Sequence, residues 1–143
     1  MSGTIHFFSE DISFRYREKN KTRRWITNSA NEENVTAGEI NIIFCDDTYL
    51  HKLNRKYLKH NTLTDIITFP ILEEQGVISG DIFISIPRVK ENAKIYRQRL
   101  SNELHRVIIH GVLHLIGYGD AAITEKAEMR QKENFYLERL SGI

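Results

Sequence analysis

The amino-acid sequence predicts an α+β fold, with helices packed on a small sheet of about four strands. Three observations carry that expectation. Short β-branched apolar runs at 39–45, 64–69 and 78–86 gather in the part of the chain before Pro87. Beyond Pro87 the apolar residues recur at helical spacing, so helices dominate the end. No repeat, low-complexity tract or linker interrupts the 143 residues, which are expected to form a single domain spanning 1–143.

The elements follow in order. Residues 4–8 and 12–16 cluster apolar side chains and read as one strand or two short ones. Arg15, Arg17, Lys19, Lys21, Arg23 and Arg24 surround a helix that includes Trp25 and Ile26. That basic run reads first as a solvated helix face and second as a patch that contacts phosphate. The polar stretch 28–38 reads as a loop, and 39–45 as a central strand. Asp46 or Asp47 can cap the next helix, which carries Tyr49, Leu50, Leu53, Tyr57 and Leu58 at helical spacing. A polar turn at 59–62 leads into the strand 64–69, where Pro70 suits a strand end or a sheet edge. After a turn at 73–76, the strand 78–86 completes a hairpin with it. Pro87 fits the first turn of a helix running toward Tyr96. Ser101 then caps a helix containing two histidines, and Thr124 opens a final helix over 125–140.

Composition sets bounds on function. Hydrophobic content of 41% and charged content of 27% are those of a globular domain. No apolar run approaches the roughly 20 residues needed to span a bilayer. The amino terminus lacks a basic segment followed by an apolar one, so no secretory signal is expected. Cys45 is the only cysteine, which rules out an internal disulfide and fits a cytoplasmic location. A net charge of +1 does not mark a nucleic-acid binder, so any such binding must rely on a local patch.

The chemistry is concentrated in His110-Gly-Val-Leu-His114-Leu-Ile-Gly117-Tyr-Gly-Asp120. Histidines four apart on a helix project from one face, roughly 40° apart around the axis. Leu104, Ile108, Val112 and Leu115 fall mainly on the opposite side and would bury the helix, leaving both imidazoles on a cleft. Gly117 can take positive φ and stop the helix, and the following turn can return Asp120 toward the rings. Two imidazole nitrogens and one carboxylate oxygen form an open three-ligand zinc set. A lone pair of histidines four apart is ordinarily two partly buried helix residues. With Gly117 and Asp120 in frame, the metal reading outweighs that one. The spacing is the zinc-binding frame of the metzincin peptidases. Those enzymes place a glutamate base directly after the first histidine, and Gly111 stands there in this chain.

Three blocks in order then resemble the YbeY-type endoribonucleases of ribosomal RNA maturation. They are Leu53-Asn-Arg-Lys-Tyr57 running into Thr64-Asp-Ile-Ile-Thr-Phe-Pro70, Ser79-Gly-Asp-Ile-Phe-Ile-Ser85, and His110-Gly-Val-Leu-His-Leu-Ile-Gly-Tyr118. The resemblance spans about residues 40–120 and is most specific in the last block. It implies a cytoplasmic, zinc-bearing α+β domain that cleaves single-stranded RNA. The context it implies is 3′-end processing of small-subunit rRNA and ribosome quality control. It places the metal, one Zn²⁺ per chain, on His110, His114 and Asp120. The family's third ligand is usually a histidine, and the aspartate here would leave a bound water less acidic. The family also usually carries an arginine directly after the aromatic of its first block, where this chain has Leu58. Arg55 or Lys59 would then have to supply the positive charge.

Phosphodiester cleavage requires an activated nucleophile, neutralised phosphoryl charge and a stabilised leaving oxygen. Asp65 and Glu125 are the carboxylate candidates for proton transfer, and the alternative of attack by the RNA's own 2′-hydroxyl would explain indifference to a missing protein base. Two other readings stand beside the nuclease: a zinc peptidase or other metal hydrolase, and a non-catalytic ribosome-assembly factor with a structural metal.

Overall fold

Four apolar stretches pair into one sheet in a computed structural model that describes residues 4–57, 64–71 and 74–143. In chain order the elements are β1 (Ile5–Glu10), α1 (Lys19–Glu32), β2 (Thr36–Cys45), α2 (Asp47–Tyr57), β3 (Ile66–Ile71) and β4 (Val77–Ser85). Three helices complete the chain: α3 (Ile86–Ile95), α4 (Leu100–Ile116) and α5 (Ile123–Leu140). The strand order is β1-β2-β4-β3. β1 and β4 run parallel to β2, whereas β3 pairs antiparallel with β4 through the expected hairpin. The sheet is therefore mixed, with β2 and β4 central. Pro70 lies on the edge strand β3, where a missing N–H costs no ladder bond on the open side.

Alternation along the strands divides the apolar residues between two faces. Ile40, Ile42 and Phe44 of β2 and Ile82 and Ile84 of β4 join Trp25, Leu104, Ile108 and Val112 in the main core. Cys45, Ile67 and Phe83 turn the other way and meet Leu50, Tyr49 and Leu53 of α2. So α2 covers one face, and α1, α4 and α5 share the main core on the other. Cys45 is a buried core residue.

The structure corrects the sequence reading in several places. Much of the expected loop at 28–38 is regular: 28–32 belong to α1 and 36–38 to β2. Composition misled here, because Ser29 and Ala30 are small residues that continue the buried face of Trp25 and Ile26. Residues 12–16 form no strand. β1 ends at a turn in which Asp11 takes φ 55°, and Tyr16 is buried instead through packing on Phe44 and a hydrogen bond with Thr22. Ser101 does not cap α4, which starts at Leu100 after Arg99 without a side-chain cap. α5 begins at Ile123 rather than after Thr124, and the Glu125 carboxylate accepts the Ala122 N–H at 2.9 Å to close its first turn. Other boundaries agree closely. The Tyr49 N–H donates to Asp46 at 2.7 Å at the start of α2, and Ser85 caps α3 by accepting from Arg88 N–H, with Pro87 in the first turn. The expected turn at 59–62, with Leu58 and Lys59, lies outside the described residues.

Candidate metal centre

α4 places the histidines because its opposite face is bound to the sheet. Leu104, Val107, Ile108, Gly111, Val112 and Leu115 are buried, whereas His110 and His114 keep 21% and 23% of their side chains exposed. Gly111 marks the closest approach: a Cβ there would stand 2.9 Å from both Ile66 and Ile82. The position after the first histidine therefore faces the packed sheet. A glutamate base of the peptidase kind has no room at that point.

Gly117 ends α4 with φ 127°, a value L-residues rarely adopt. The Gly117 and Tyr118 N–H groups both donate back to Leu113, at 3.1 and 3.0 Å, reversing the chain. That turn brings Asp120 to the histidines. His110 Nε2 and His114 Nε2 are 3.0 Å apart, and each lies 3.2 Å from Asp120 Oδ2. Ligands about 2.0–2.1 Å from a tetrahedral ion stand roughly 3.3 Å from one another, so this triangle has the dimensions of three corners of such a site.

The opposite nitrogens settle which atoms face the centre. His110 Nδ1 lies 2.6 Å from Glu133 Oε2, and His114 Nδ1 lies 2.9 Å from the Tyr118 carbonyl. Both partners are acceptors, so each Nδ1 carries a proton and each ring turns Nε2 inward, the atom through which an imidazole can bind a cation. Three electron-rich atoms within 3.2 Å of one another repel unless a cation lies among them. A proton or a metal ion satisfies that demand, and imidazole with carboxylate is a donor set suited to zinc.

Electrostatics around the triangle point the same way. Burial alone would raise the Glu133 carboxyl, but hydrogen bonds from His110 and Arg106 overcome it and hold the group below the ordinary glutamate value. Arg106 donates to Glu133 at 2.8 Å. Burial would likewise lower His110, and the hydrogen bond and charge of Glu133 raise it instead.

His110 and Asp120 line a cleft of about 870 Å³ that also contains Asp65, Asn92, Glu103 and Glu133. Of the other sequence candidates, Asp65 is in this cleft. Its carboxylate accepts from Asn92 at 3.4 Å, and burial raises it above the usual aspartate range. Arg55 is exposed on α2, does not line the cleft, and sits in the layer on the far face of the sheet. Glu125 is engaged at the start of α5, and Lys59 lies outside the described residues.

Sequence reasoning missed Glu133, yet a signal was present. The buried residues of α5 are Met129, Glu133, Tyr136 and Leu140, spaced as one helical face. A carboxylate on an otherwise apolar face requires a partner, and here that partner is His110. Glu33 was missed too. At the end of α1 it accepts from Tyr118 at 2.6 Å, from Lys132 at 3.0 Å and from Tyr136, tying the turn after α4 to two helices. It stands in a polar stretch with no period to expose it.

Comparison with known proteins agrees with this architecture. The family model described as Endoribonuclease YbeY matches residues 4–141. A protein named endoribonuclease YbeY from Amoebophilus asiaticus is 48% identical over 133 residues, which is 93% of this chain and 90% of that protein. One of the same name from Cytophaga hutchinsonii is 48% identical over 134 residues, 94% of each chain. The solution structure of a Thermotoga maritima protein superposes with a TM-score of 0.68 at 26% identity, covering 97% of this chain and 90% of that one.

Proposed function

The chain belongs to the YbeY endoribonuclease family, and from that premise we propose that it is a zinc-dependent endoribonuclease specific for single-stranded RNA. The observation that carries the metal is the triangle of His110 Nε2, His114 Nε2 and Asp120 Oδ2, 3.0–3.2 Å on a side, with both Nδ1 atoms committed elsewhere. The wider setting rests on family membership: 3′-end maturation of small-subunit rRNA and ribosome quality control, in the cytoplasm, on the small subunit. No helix among the described residues is long and apolar enough to cross a membrane.

A zinc ion held by these three residues would activate water and draw charge from the scissile phosphate. The protein's own groups divide the remaining work. Glu133 fixes the tautomer and plane of His110, and the Tyr118 carbonyl does so for His114. Asp65, steadied by Asn92 in the same cleft, is the group we assign to proton transfer. Its raised pKa suits a carboxyl that exchanges protons closer to neutrality than an exposed aspartate does. Arg55 is assigned to the RNA backbone rather than to the reacting phosphate, because α2 occupies the far layer, and Lys59 is assigned with it from the sequence pattern alone.

The crowded surroundings of Gly111 weigh against a peptidase. Structural zinc sites usually close with four protein ligands, whereas the described residues bring three together beside an open cleft. The deciding experiment incubates the zinc-loaded protein with labelled single-stranded RNA and, separately, with casein. RNA cleavage that disappears in His114→Ala, with casein intact, is the expected result. Casein cleavage, or RNA cleavage unchanged in His114→Ala, would overturn the proposal.

A further inference from the structure

The cleft continues beyond the metal ligands to a second, differently built wall. There Tyr96 and Gln98, from the turn between α3 and α4, line the same cavity as Lys126 and Arg130 of α5. Tyr96 is 61% exposed, and its ring contacts no other aromatic ring among the described residues. A large ring left in water at the mouth of a cleft invites a planar partner.

The turn that holds Tyr96 is well fixed. Tyr96 N–H donates to Asn92 O at 2.9 Å and Gln98 N–H to Ala93 O at 2.8 Å, around Arg97 at φ 54°. Glycine is the default for that left-handed position, yet an arginine stands there, directly after Tyr96 in the chain, at a small backbone cost. Arg99 follows, giving Tyr96-Arg-Gln-Arg99, an aromatic interleaved with cations.

The charged groups of the cleft differ in how far they are engaged. The carboxylate of Glu133 is paired with Arg106 and His110, and Asp120 belongs to the ligand triangle. Lys126 has no side-chain partner among the described residues, and Arg130 reaches Glu133 only at 3.7 Å with its own side chain 60% exposed. The outer wall thus presents an unstacked ring and two accessible cations. Stacking surface alternating with positive charge fits a single strand, whose bases are free to unstack, and not a duplex.

We infer that Tyr96 is a base-stacking platform on a track for single-stranded RNA that leads from the His110–Asp120 centre past Lys126 and Arg130. The inference rests on the endoribonuclease reading above and adds the residues that hold the strand. Its test is binding of a fluorescein-labelled single-stranded 2′-O-methyl oligoadenylate, which lacks the hydroxyl for self-cleavage, to the zinc-loaded full chain. Tyr96→Ala should weaken binding about 5- to 100-fold, while Tyr96→Phe, which keeps a stacking face, stays within about twofold of wild type. Lys126→Gln combined with Arg130→Gln should reduce the slope of log affinity against log salt by about 1.4, from two lost phosphate contacts. Zinc content should equal that of wild type in all three proteins. A wild-type protein that binds and cleaves RNA, alongside Tyr96→Ala of undiminished affinity, overturns the track alone. A wild-type protein that neither binds nor cleaves RNA overturns the functional reading and the track with it.

Discussion

The resemblance read from the sequence implies a histidine where Asp120 stands, and in the proposed site the aspartate reaches the same place. Its Oδ2 already stands 3.2 Å from both imidazole nitrogens, with nearly half of its side chain open to the cleft. We therefore expect Asp120→His to retain zinc and Asp120→Ala to lose affinity, measured by competition with a chromogenic chelator; equal affinity in wild type and Asp120→Ala would reduce the residue to a member of the turn. Glu133 supports a second prediction. Glu133→Gln preserves shape but removes the charge that draws the His110 Nδ1 proton, so zinc affinity should fall about 10- to 100-fold in the same titration. Unchanged affinity would show that His110 is oriented by helix packing alone.

At the scale of elements, the histidine motif was legible because it is local. Helical spacing, a stop glycine and an aspartate in the next turn all lie within residues 110–120, and α4 with its Gly117 cap brings the three side chains together as expected. What was not legible came from elements distant in the chain. Glu133 reaches His110 from α5, and Glu33 reaches Tyr118 from the end of α1 across 85 positions. Spacing along a sequence carries no trace of such pairs. The sheet itself was read in outline, since runs of β-branched residues mark strands; the extent of α1 was not, since Ser29 and Ala30 look like loop residues until Trp25 buries beside them. Gly111 gives a test of how closely α4 lies on β3 and β4. Gly111→Ala forces a methyl group to within 2.9 Å of Ile66 and Ile82, and should destabilise the protein by about 1–3 kcal/mol in urea unfolding. An unchanged midpoint would mean that the contact is slack.

Glu33 couples three elements and gives that scale its pH dependence. Its burial would raise the carboxyl, but hydrogen bonds from Tyr118, Tyr136 and Lys132 outweigh this and hold it below the ordinary glutamate value. A carboxylate depressed in the folded state contributes stability above its unfolded pKa and loses it as pH falls through the folded one. The gap in stability between wild type and Glu33→Gln should accordingly be about 1–3 kcal/mol at neutral pH and shrink below about pH 4. Urea titrations across that range, with chelator present in both proteins, would reveal it; a gap independent of pH would contradict an ionised Glu33.

For the whole molecule, a mixed sheet with helices on both faces presents one long helix, α4, whose exposed edge forms the floor of a cleft. The fold brings His110, His114 and Asp120 together from one helix and its turn, sets Glu133 of α5 against His110, and leaves the rest of the cleft open, which is where we propose a strand of RNA lies. Function in this account depends on a metal at that floor. The measurement that tests it most directly is cleavage of labelled single-stranded RNA by the purified protein before chelation, after chelation and after zinc is returned. Cleavage should be lost on chelation and restored by stoichiometric zinc. Full cleavage by protein shown by elemental analysis to be free of metal would contradict it.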